Sequence, residues 1–214
     1  VENCHARRMS QEAFVSGGGS RDSRPPRTHT KATTYLRCSA IDCARNGFND
    51  WNLGPENTSV LYCRLVDVGG CSWEGASRFV RFVGNYVRNA GTVAMGNLGT
   101  ANRDPGFAQL GAGQHIIADN VFEGGNRYAG KRGGPMVVTS VGSTQVIIRN
   151  NLFINFNSPA ILASGRADLT HYPSTNTVIT GNVIDLTCVE ETPVRRAGIT
   201  VSANATTVSN NQVY

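Results

Sequence analysis

The chain has 214 residues, of which 40% are hydrophobic, and a formal net charge of +5. This is enough for one sizeable domain, and the absence of an apolar run of about 18 residues excludes a transmembrane helix. The basic residues are 18 Arg and 2 Lys, spread along the chain rather than clustered with aromatic residues, which argues against a nucleic-acid partner. So many arginines suit either a solvated surface with local ion pairs or an anionic glycan as partner.

One short motif recurs eight times in chain order. Each copy has Cys or Asn at its fourth position and an apolar residue two positions later. The copies are VENCHA (1–6), YLRCSA (35–40), VLYCRL (60–65), FVGNYV (82–87), IADNVF (117–122), IRNNLF (148–153), ITGNVI (179–184) and VSNNQV (208–213). The fourth residues are Cys4, Cys38, Cys63, Asn85, Asn120, Asn151, Asn182 and Asn211, at intervals of 34, 25, 22, 35, 31, 31 and 29 residues. A fixed local pattern with irregular intervals predicts one structural unit with variable loops.

These repeats predict a parallel β-solenoid, because short period-two strands recur without any helical segment. Each coil would hold three short strands, and the coils would stack about 4.8 Å apart. In residues 145–162 we predict strands at Val146–Ile148, Leu152–Ile154 and near Ala160–Ala163. The other third strands are predicted near Ala13–Ser16, Phe48–Trp51, Ser72–Gly75, Val93–Met95, Met136–Thr139 and Ile199–Ser202. We expect one domain over 1–214, cut from a longer protein because both ends fall inside a motif.

Stacking explains why Asn151 stands inside an apolar run. A buried amide is costly unless it is hydrogen-bonded, and each Asn would donate to one neighbouring rung and accept from the other. Cys4, Cys38 and Cys63 would occupy the same column within disulfide reach. Three stacked equivalents cannot all pair, so we expect free buried thiols. No C-x-x-C pair or spaced oxygen-ligand motif predicts zinc, Ca²⁺ or another cofactor.

The N-x-(F/V/I) turns, the Asn/Cys column and the third-strand starts Gly47-Phe48 and Gly198-Ile199 resemble the right-handed parallel β-helix superfamily. That group contains pectate-lyase-like lyases, polygalacturonase-like hydrolases, uronan epimerases and bacteriophage tailspikes. The resemblance covers the whole chain and implies an all-β, right-handed, single-stranded parallel β-helix of about eight coils. It assigns no catalytic residue, because the N-T-D, D-D and G-H-G motifs of galacturonases and an R-I-K motif are missing.

The segments NDWN (49–52) and SWEG (72–75) carry both Trp residues, on predicted third strands of adjacent coils. Asp50 and Glu74 are candidate catalytic residues, because adjacent rungs would place them about 5 Å apart, near the separation in retaining glycosidases. Trp51 and Trp73 are candidates for stacking on a sugar, and an indole can raise the pKa of a neighbouring carboxyl. The alternative is that Trp fills the core and the carboxylates are solvated or paired with Arg. Strand alternation points Trp73 inward and Trp51 outward.

Further substrate-binding candidates lie on long predicted loops, where binding residues usually concentrate on a rigid scaffold. They are Arg103, Arg127, Lys131, Arg132, His171 and Tyr172. The basic group at 127–132 would bind a polyanion, or neutralise a uronate carboxylate while a base abstracts the α-proton. His171 is the strongest candidate base among the histidines. The alternatives are a solvated Gly-rich turn and an exposed loop histidine.

Together these features predict a carbohydrate-active protein that binds and cleaves an acidic polysaccharide, as in a phage tailspike depolymerase or a secreted glycan hydrolase or lyase. The alternative is a non-catalytic structural or receptor-binding rod of a fibre, adhesin or virion appendage. Both interpretations place the protein outside the cell or on a virion, with no membrane or nucleic-acid partner. A tailspike would in addition be a homotrimer.

Overall fold

The computed structural model describes residues 1–15, 32–50, 57–75, 79–90, 95–96, 114–124, 137–139, 145–155, 160–163, 175–185, 198–202 and 204–214. These ranges are all-β and contain no helix; their 22 short strands form three parallel sheets. Each strand pairs with the strand three places away in chain order, so the chain visits the three sheets in rotation. We call one first, one second and one third strand a repeat.

The sheets are named after the place of their strands in the repeat. The first-strand sheet contains β3 (Thr33–Leu36), β6 (Thr58–Leu61), β9 (Arg81–Val83), β12 (Ile116–Ala118), β15 (Ile147–Arg149), β18 (Thr175–Thr180) and β21 (Asn204–Ser209). The second-strand sheet contains β1 (His5–Arg7), β4 (Ser39–Ile41), β7 (Arg64–Val66), β10 (Tyr86–Arg88), β13 (Val121–Glu123), β16 (Leu152–Ile154), β19 (Val183–Asp185) and β22 (Gln212–Val213). The third-strand sheet contains β2 (Phe14–Val15), β5 (Phe48–Asp50), β8 (Trp73–Gly75), β11 (Met95–Gly96), β14 (Val137–Thr139), β17 (Ile161–Ala163) and β20 (Ile199–Val201).

The predicted strand positions agree closely with these bounds. Every predicted third strand overlaps an observed one, and the second strand predicted in residues 145–162 is confirmed at Leu152–Ile154. The first strand of that stretch begins one residue later than predicted, at Ile147. The reason is that Gln145, with φ of 56°, turns the chain, so Val146 lies at the corner although it is buried.

A single hydrophobic core draws on all three sheets. In the second-strand sheet the central residue of each strand points inward, and these residues pair in register from repeat to repeat. They include Ala40, Leu65, Val87, Phe122, Phe153 and Ile184, each with 0% exposure. Phe82, Phe122 and Phe153 stack along the core with ring centroids 6.2 and 4.9 Å apart. Like residues therefore form continuous columns along the stack of repeats.

The corner between first and second strands has one conformation throughout. Its first residue has a positive φ of 52–68° in all eight repeats: Asn3, Arg37, Tyr62, Gly84, Asp119, Asn150, Gly181 and Asn210. Gly, Asn and Asp adopt this left-handed region at least cost, which accounts for six of the eight. At Gly181 a side chain would also collide with the Asn150 carboxamide of the neighbouring repeat. The next residue in each case is the fourth residue of the sequence motif.

The predicted asparagine ladder is confirmed. Asn151 is 1% exposed, and its Oδ1 accepts hydrogen bonds from the backbone N–H of Asn120 (3.0 Å) and from Nδ2 of Asn120 (2.8 Å). Its own Nδ2 donates to Oδ1 of Asn182 and to the carbonyl of Ile117, both at 3.0 Å. The same pattern joins Asn85 to Asn120 and Asn182 to Asn211. Each amide is satisfied only while its neighbours keep their level.

The cysteines continue the column at its other end. The backbone N–H of Cys63 donates to Oδ1 of Asn85 (2.8 Å), and that of Cys38 donates to Sγ of Cys63 (3.3 Å). Cys38 and Cys63 are buried free thiols, as expected, but Cys4 is exposed because its strand neighbour β1 pairs only with β4. Burial raises the pKa of the Cys63 thiol from 9.0 to about 11. Cys63 is therefore a protonated acceptor at neutral pH rather than a reactive thiolate.

Replacing Asn151 with Ala should lower the free energy of unfolding by about 3 kcal/mol. The substitution leaves the buried Asn120 N–H without its acceptor, which costs about 1–3 kcal/mol, and also removes the side-chain bonds to Asn182 and to the Ile117 carbonyl. Asn151→Cys should cost less, because Cys fills this column in other repeats. Urea unfolding measures both.

The matched control for Asn151 is Asn150→Gly. Asn150 is exposed at the adjacent left-handed position, where Gly84 and Gly181 stand in other repeats. This variant should stay within about 0.5 kcal/mol of wild type. Equal destabilisation by the two substitutions would show that the ladder bonds do not stabilise the fold.

The stability supplied by Cys63 should depend on pH. Its pKa is higher in the folded chain than in the unfolded one, so its contribution is complete below about pH 9 and is lost as the pH rises to about 11. A shift of this size corresponds to roughly 3 kcal/mol. The difference in urea-unfolding free energy between wild type and Cys63→Ala should shrink across that range. Ile148→Val, a buried substitution that removes no ionisable group, should keep the wild-type dependence. Parallel curves for wild type and Cys63→Ala would contradict the assignment.

Candidate functional site

The third-strand sheet holds the predicted catalytic segments on adjacent strands. β5 and β8 pair in parallel with the register Phe48–Trp73, Asn49–Glu74 and Asp50–Gly75. Phe48 and Trp73 are both 0% exposed and belong to the core. The inward position that alternation predicts for Trp73 is therefore what the structure has. Because its indole is buried, Trp73 cannot stack on a sugar at the surface, and we do not include it in the candidate site.

The register also changes the expected carboxylate pair. Asp50 and Glu74 lie on adjacent strands, but Glu74 stands opposite Asn49, and Asp50 opposite Gly75. The two residues are offset by one position, so the spacing of about 5 Å that applies to paired residues does not apply to them. The physical reason is that the two inward apolar residues, Phe48 and Trp73, stand at the same level, which sets the register of the residues that follow them. Asp50 and Glu74 stay candidates by backbone position.

The remaining predicted substrate-binding residues cannot be located. They are Trp51, Arg103, Arg127, Lys131, Arg132, His171 and Tyr172, all outside the described residues. Their assignments stay predictions.

A polar group absent from the sequence prediction lies beside Asp50 and Glu74. Asn49 follows the inward Phe48 and faces away from the core, yet it is only 7% exposed. Its Nδ2 donates to Oε1 of Glu12 (3.2 Å), and the guanidinium of Arg45 lies 3.5 Å from the same oxygen. The side chain of Glu12 is 17% exposed and that of Arg45 is 64% exposed. A recessed carboxylate–amide pair with an exposed cation therefore borders the backbone positions of the predicted catalytic residues.

A sequence signal for this group exists. Glu12 precedes Phe14 by two residues, just as Asn46 precedes Phe48 and Cys71 precedes Trp73. The Asn46 side chain accepts a hydrogen bond from the backbone of Cys71 at 2.8 Å, so these corner positions form a second short column. The constant spacing from this corner to the inward aromatic residue indicates the observed register.

A second polar cluster lies on the outer side of the second-strand sheet. The hydroxyl of Tyr86 donates a short hydrogen bond to Oε2 of Glu123, and the guanidinium carbon of Arg64 lies 5.8 Å from the centre of the Tyr86 ring. Arg88 is the register partner of Glu123. The hydrogen bond to Glu123 and, after it, burial raise the pKa of the Tyr86 phenol, which therefore stays a neutral donor. The sequence prediction missed this cluster because its members fall on strands rather than loops.

Neither a metal-binding cluster nor a membrane-spanning helix is present in the part of the chain that the structure describes. Within the described ranges, no three His, Cys, Asp or Glu residues come together in a way that could hold a metal ion. In the same part of the chain, no helix has the length and apolar character needed to cross a membrane. The polar groups on the second- and third-strand sheets are therefore the two candidate sites.

Comparison with known proteins adds no assignment. No protein-family model matches the chain, and no curated protein is similar to it. The candidate sites therefore have to be judged on their own chemistry.

Proposed function

We propose that the three sheets wrap one core as a right-handed parallel β-helix of about eight coils, and that this rod binds and cleaves an acidic polysaccharide. The rotation of the chain through three parallel sheets supports the architecture, together with the shared core and the asparagine ladder. Such a rod presents rows of side chains at constant spacing along its axis, which suits a polymer with a constant repeat. An extracellular or virion-associated location follows from this substrate class.

The observation that carries the proposal is the polar group on the outer side of the third-strand sheet. Asn49 and Glu12 are hydrogen-bonded and recessed, although alternation directs Asn49 away from the core. Glu74 stands opposite Asn49 on the next strand, and the same alternation assigns it to the outer face. Asp50 follows Asn49 as the last residue of β5. Glu12, Asp50 and Glu74 thus belong to three neighbouring repeats. Outward polar side chains of low exposure are typical of a groove rather than of a solvated surface.

The chemistry that this group supports is acid–base cleavage of a glycosidic bond. Hydrolysis requires one carboxyl that protonates the leaving oxygen and a second that activates water or attacks the sugar. Glu74 fills one of these roles in the proposal. Asp50 fills the other from the last position of β5, which requires the alternation of the strand to end there. Glu12 holds the Asn49 amide in place. If the reaction is instead a β-elimination, a carboxylate of the protein abstracts the α-proton of a uronate, and an arginine neutralises the carboxylate of that uronate.

Glu74→Gln and Asp50→Asn should each reduce turnover by about a hundredfold or more, because a general acid or base contributes about 10²–10⁴-fold. The measurement uses a panel of acidic glycans, with reducing-end release for hydrolysis and ultraviolet absorbance of the unsaturated sugar for β-elimination. The absorbing product forms only in the lyase reaction, so the two assays also separate the two chemistries.

The control variant is Asp119→Asn, which neutralises a carboxylate at a corner of the first-strand sheet. Asp119 is exposed and accepts a hydrogen bond from Asn150, and Asn tolerates its left-handed backbone. This variant should keep wild-type turnover. Full activity in both test variants would move the site elsewhere. Binding of acidic glycan without any turnover by wild type would favour a non-catalytic, receptor-binding rod.

A further inference from the structure

The second-strand sheet presents two columns of outward residues, on either side of its inward column. Beside the inward Leu65, Val87 and Phe122, one column contains Arg64, Tyr86 and Val121, and the other contains Val66, Arg88 and Glu123. Neighbours within a column are about 4.8 Å apart, and the columns are about 7 Å apart. These four residues form a rectangle: Arg64 and Arg88 occupy one pair of opposite corners, and Val66 and Tyr86 occupy the other.

Of the two residues between the arginines, Val66 is buried and Tyr86 is partly exposed. Val66 occupies an outward position of β7, yet it is only 3% exposed. The Tyr86 ring lies beside it, partly exposed, and Arg64 packs over that ring. The hydrogen bond from the Tyr86 hydroxyl to Glu123 fixes the ring's orientation. The two guanidinium groups therefore flank a preorganised aromatic surface.

The two arginines lack carboxylate partners in the described part of the chain. Glu123, the register partner of Arg88, is bonded to Tyr86, and neither Arg64 nor Arg88 has an ion pair within 4.0 Å among the described residues. In that same part Nε of Arg88 is buried without a hydrogen-bond partner. A buried N–H of a cation is costly when unsatisfied. Because Nε itself is closed to solvent, an incoming anion would meet the outer nitrogens of this partly exposed side chain.

We propose that Arg64, Tyr86 and Arg88 form a binding site for the carboxylate or sulfate group of an acidic sugar. The guanidinium groups bind the anionic oxygens, preferably in bidentate fashion, and the apolar face of the sugar lies on the partly exposed Tyr86 ring. Glu123 orients the phenol and does not contact the ligand. The identity of the ligand as a glycan rests on the proposed function, whereas the anion-binding chemistry rests on these residues alone.

Arg64→Gln and Arg88→Gln should each weaken binding of an acidic oligosaccharide about tenfold, the loss of one charge-assisted contact. Calorimetric titration with oligogalacturonate tests the carboxylate, titration with a chondroitin sulfate oligosaccharide tests the sulfate, and a neutral dextran oligosaccharide should not bind. Arg88→Lys keeps the charge but loses the planar fork, so it should restore only part of the affinity. Tyr86→Phe frees Glu123 to compete for Arg88 and should also weaken binding.

The matched control is Arg81→Gln. Arg81 is an exposed arginine on β9 of the same repeat as Tyr86 and Arg88, but in the first-strand sheet. It removes the same charge and should leave the affinity within about twofold of wild type. Thermal unfolding of each variant verifies folding, and Arg64 is exposed, so its removal should be tolerated.

The experiments distinguish failure of the Arg64–Tyr86–Arg88 binding site from failure of the proposed cleavage at Asp50 and Glu74. Wild-type affinity in Arg64→Gln and Arg88→Gln, or equal losses in Arg81→Gln, would overturn the site while leaving cleavage at Asp50 and Glu74 intact. Selective loss of affinity in the two variants supports the site, even where Glu74→Gln and Asp50→Asn retain full turnover and the proposed catalytic pair fails. A wild-type protein that binds no acidic glycan overturns both.

Discussion

The rest of the structure depends on the hydrogen bonds that pass from one buried asparagine to the next. Apolar columns such as Val87–Phe122–Phe153 require only burial, and a neighbouring strand displaced by two residues would still bury apolar atoms. The amide of Asn151 is more demanding, because it is satisfied only when Asn120 and Asn182 stand at its own level. A slip of one residue would turn each inward column outward. The polar column therefore fixes the register that the apolar core stabilises.

Fixed register has direct consequences for chemistry on the outside of the sheets. It places Tyr86 where its hydroxyl reaches Glu123, 37 residues away in sequence, and Arg64 over the same ring. It also sets Glu74 opposite Asn49 and leaves Asp50 one position out of step. Because backbone pairing holds these residues at strand spacing, the surface groups have little freedom to rearrange. Preorganisation of this kind reduces the entropy lost when a ligand binds.

The sequence alone predicted the strands and the ladder because both leave a periodic mark: Cys or Asn recurs eight times, always followed by an inward apolar residue. It did not predict the pairing of NDWN with SWEG correctly, because the approximate strand bounds placed Asp50 level with Glu74, whereas the corner residues Asn46 and Cys71 set the register one residue away. The Arg64–Tyr86–Glu123 cluster left no mark, since outward strand positions vary freely between repeats. The one-residue offset between Asp50 and Glu74 is likewise set by the register of β5 and β8. The sequence does not reveal that register, because the loops between the strands vary in length.

The two candidate sites share one repeat although they occupy different sheets. The strand β7, which carries Arg64 and Val66, is followed after one corner by β8, which carries Trp73 and Glu74. The glycines of this corner, Gly69 and Gly70, pack so closely against the preceding repeat that no side chain would fit. Because both residues are glycines, no side chain from them stands between the outer sides of the second- and third-strand sheets. Under the proposed function, the carboxylates of the third-strand sheet would repel a polyanionic substrate, and the arginines of the second-strand sheet would attract it. Binding energy gained at those arginines would then offset the repulsion.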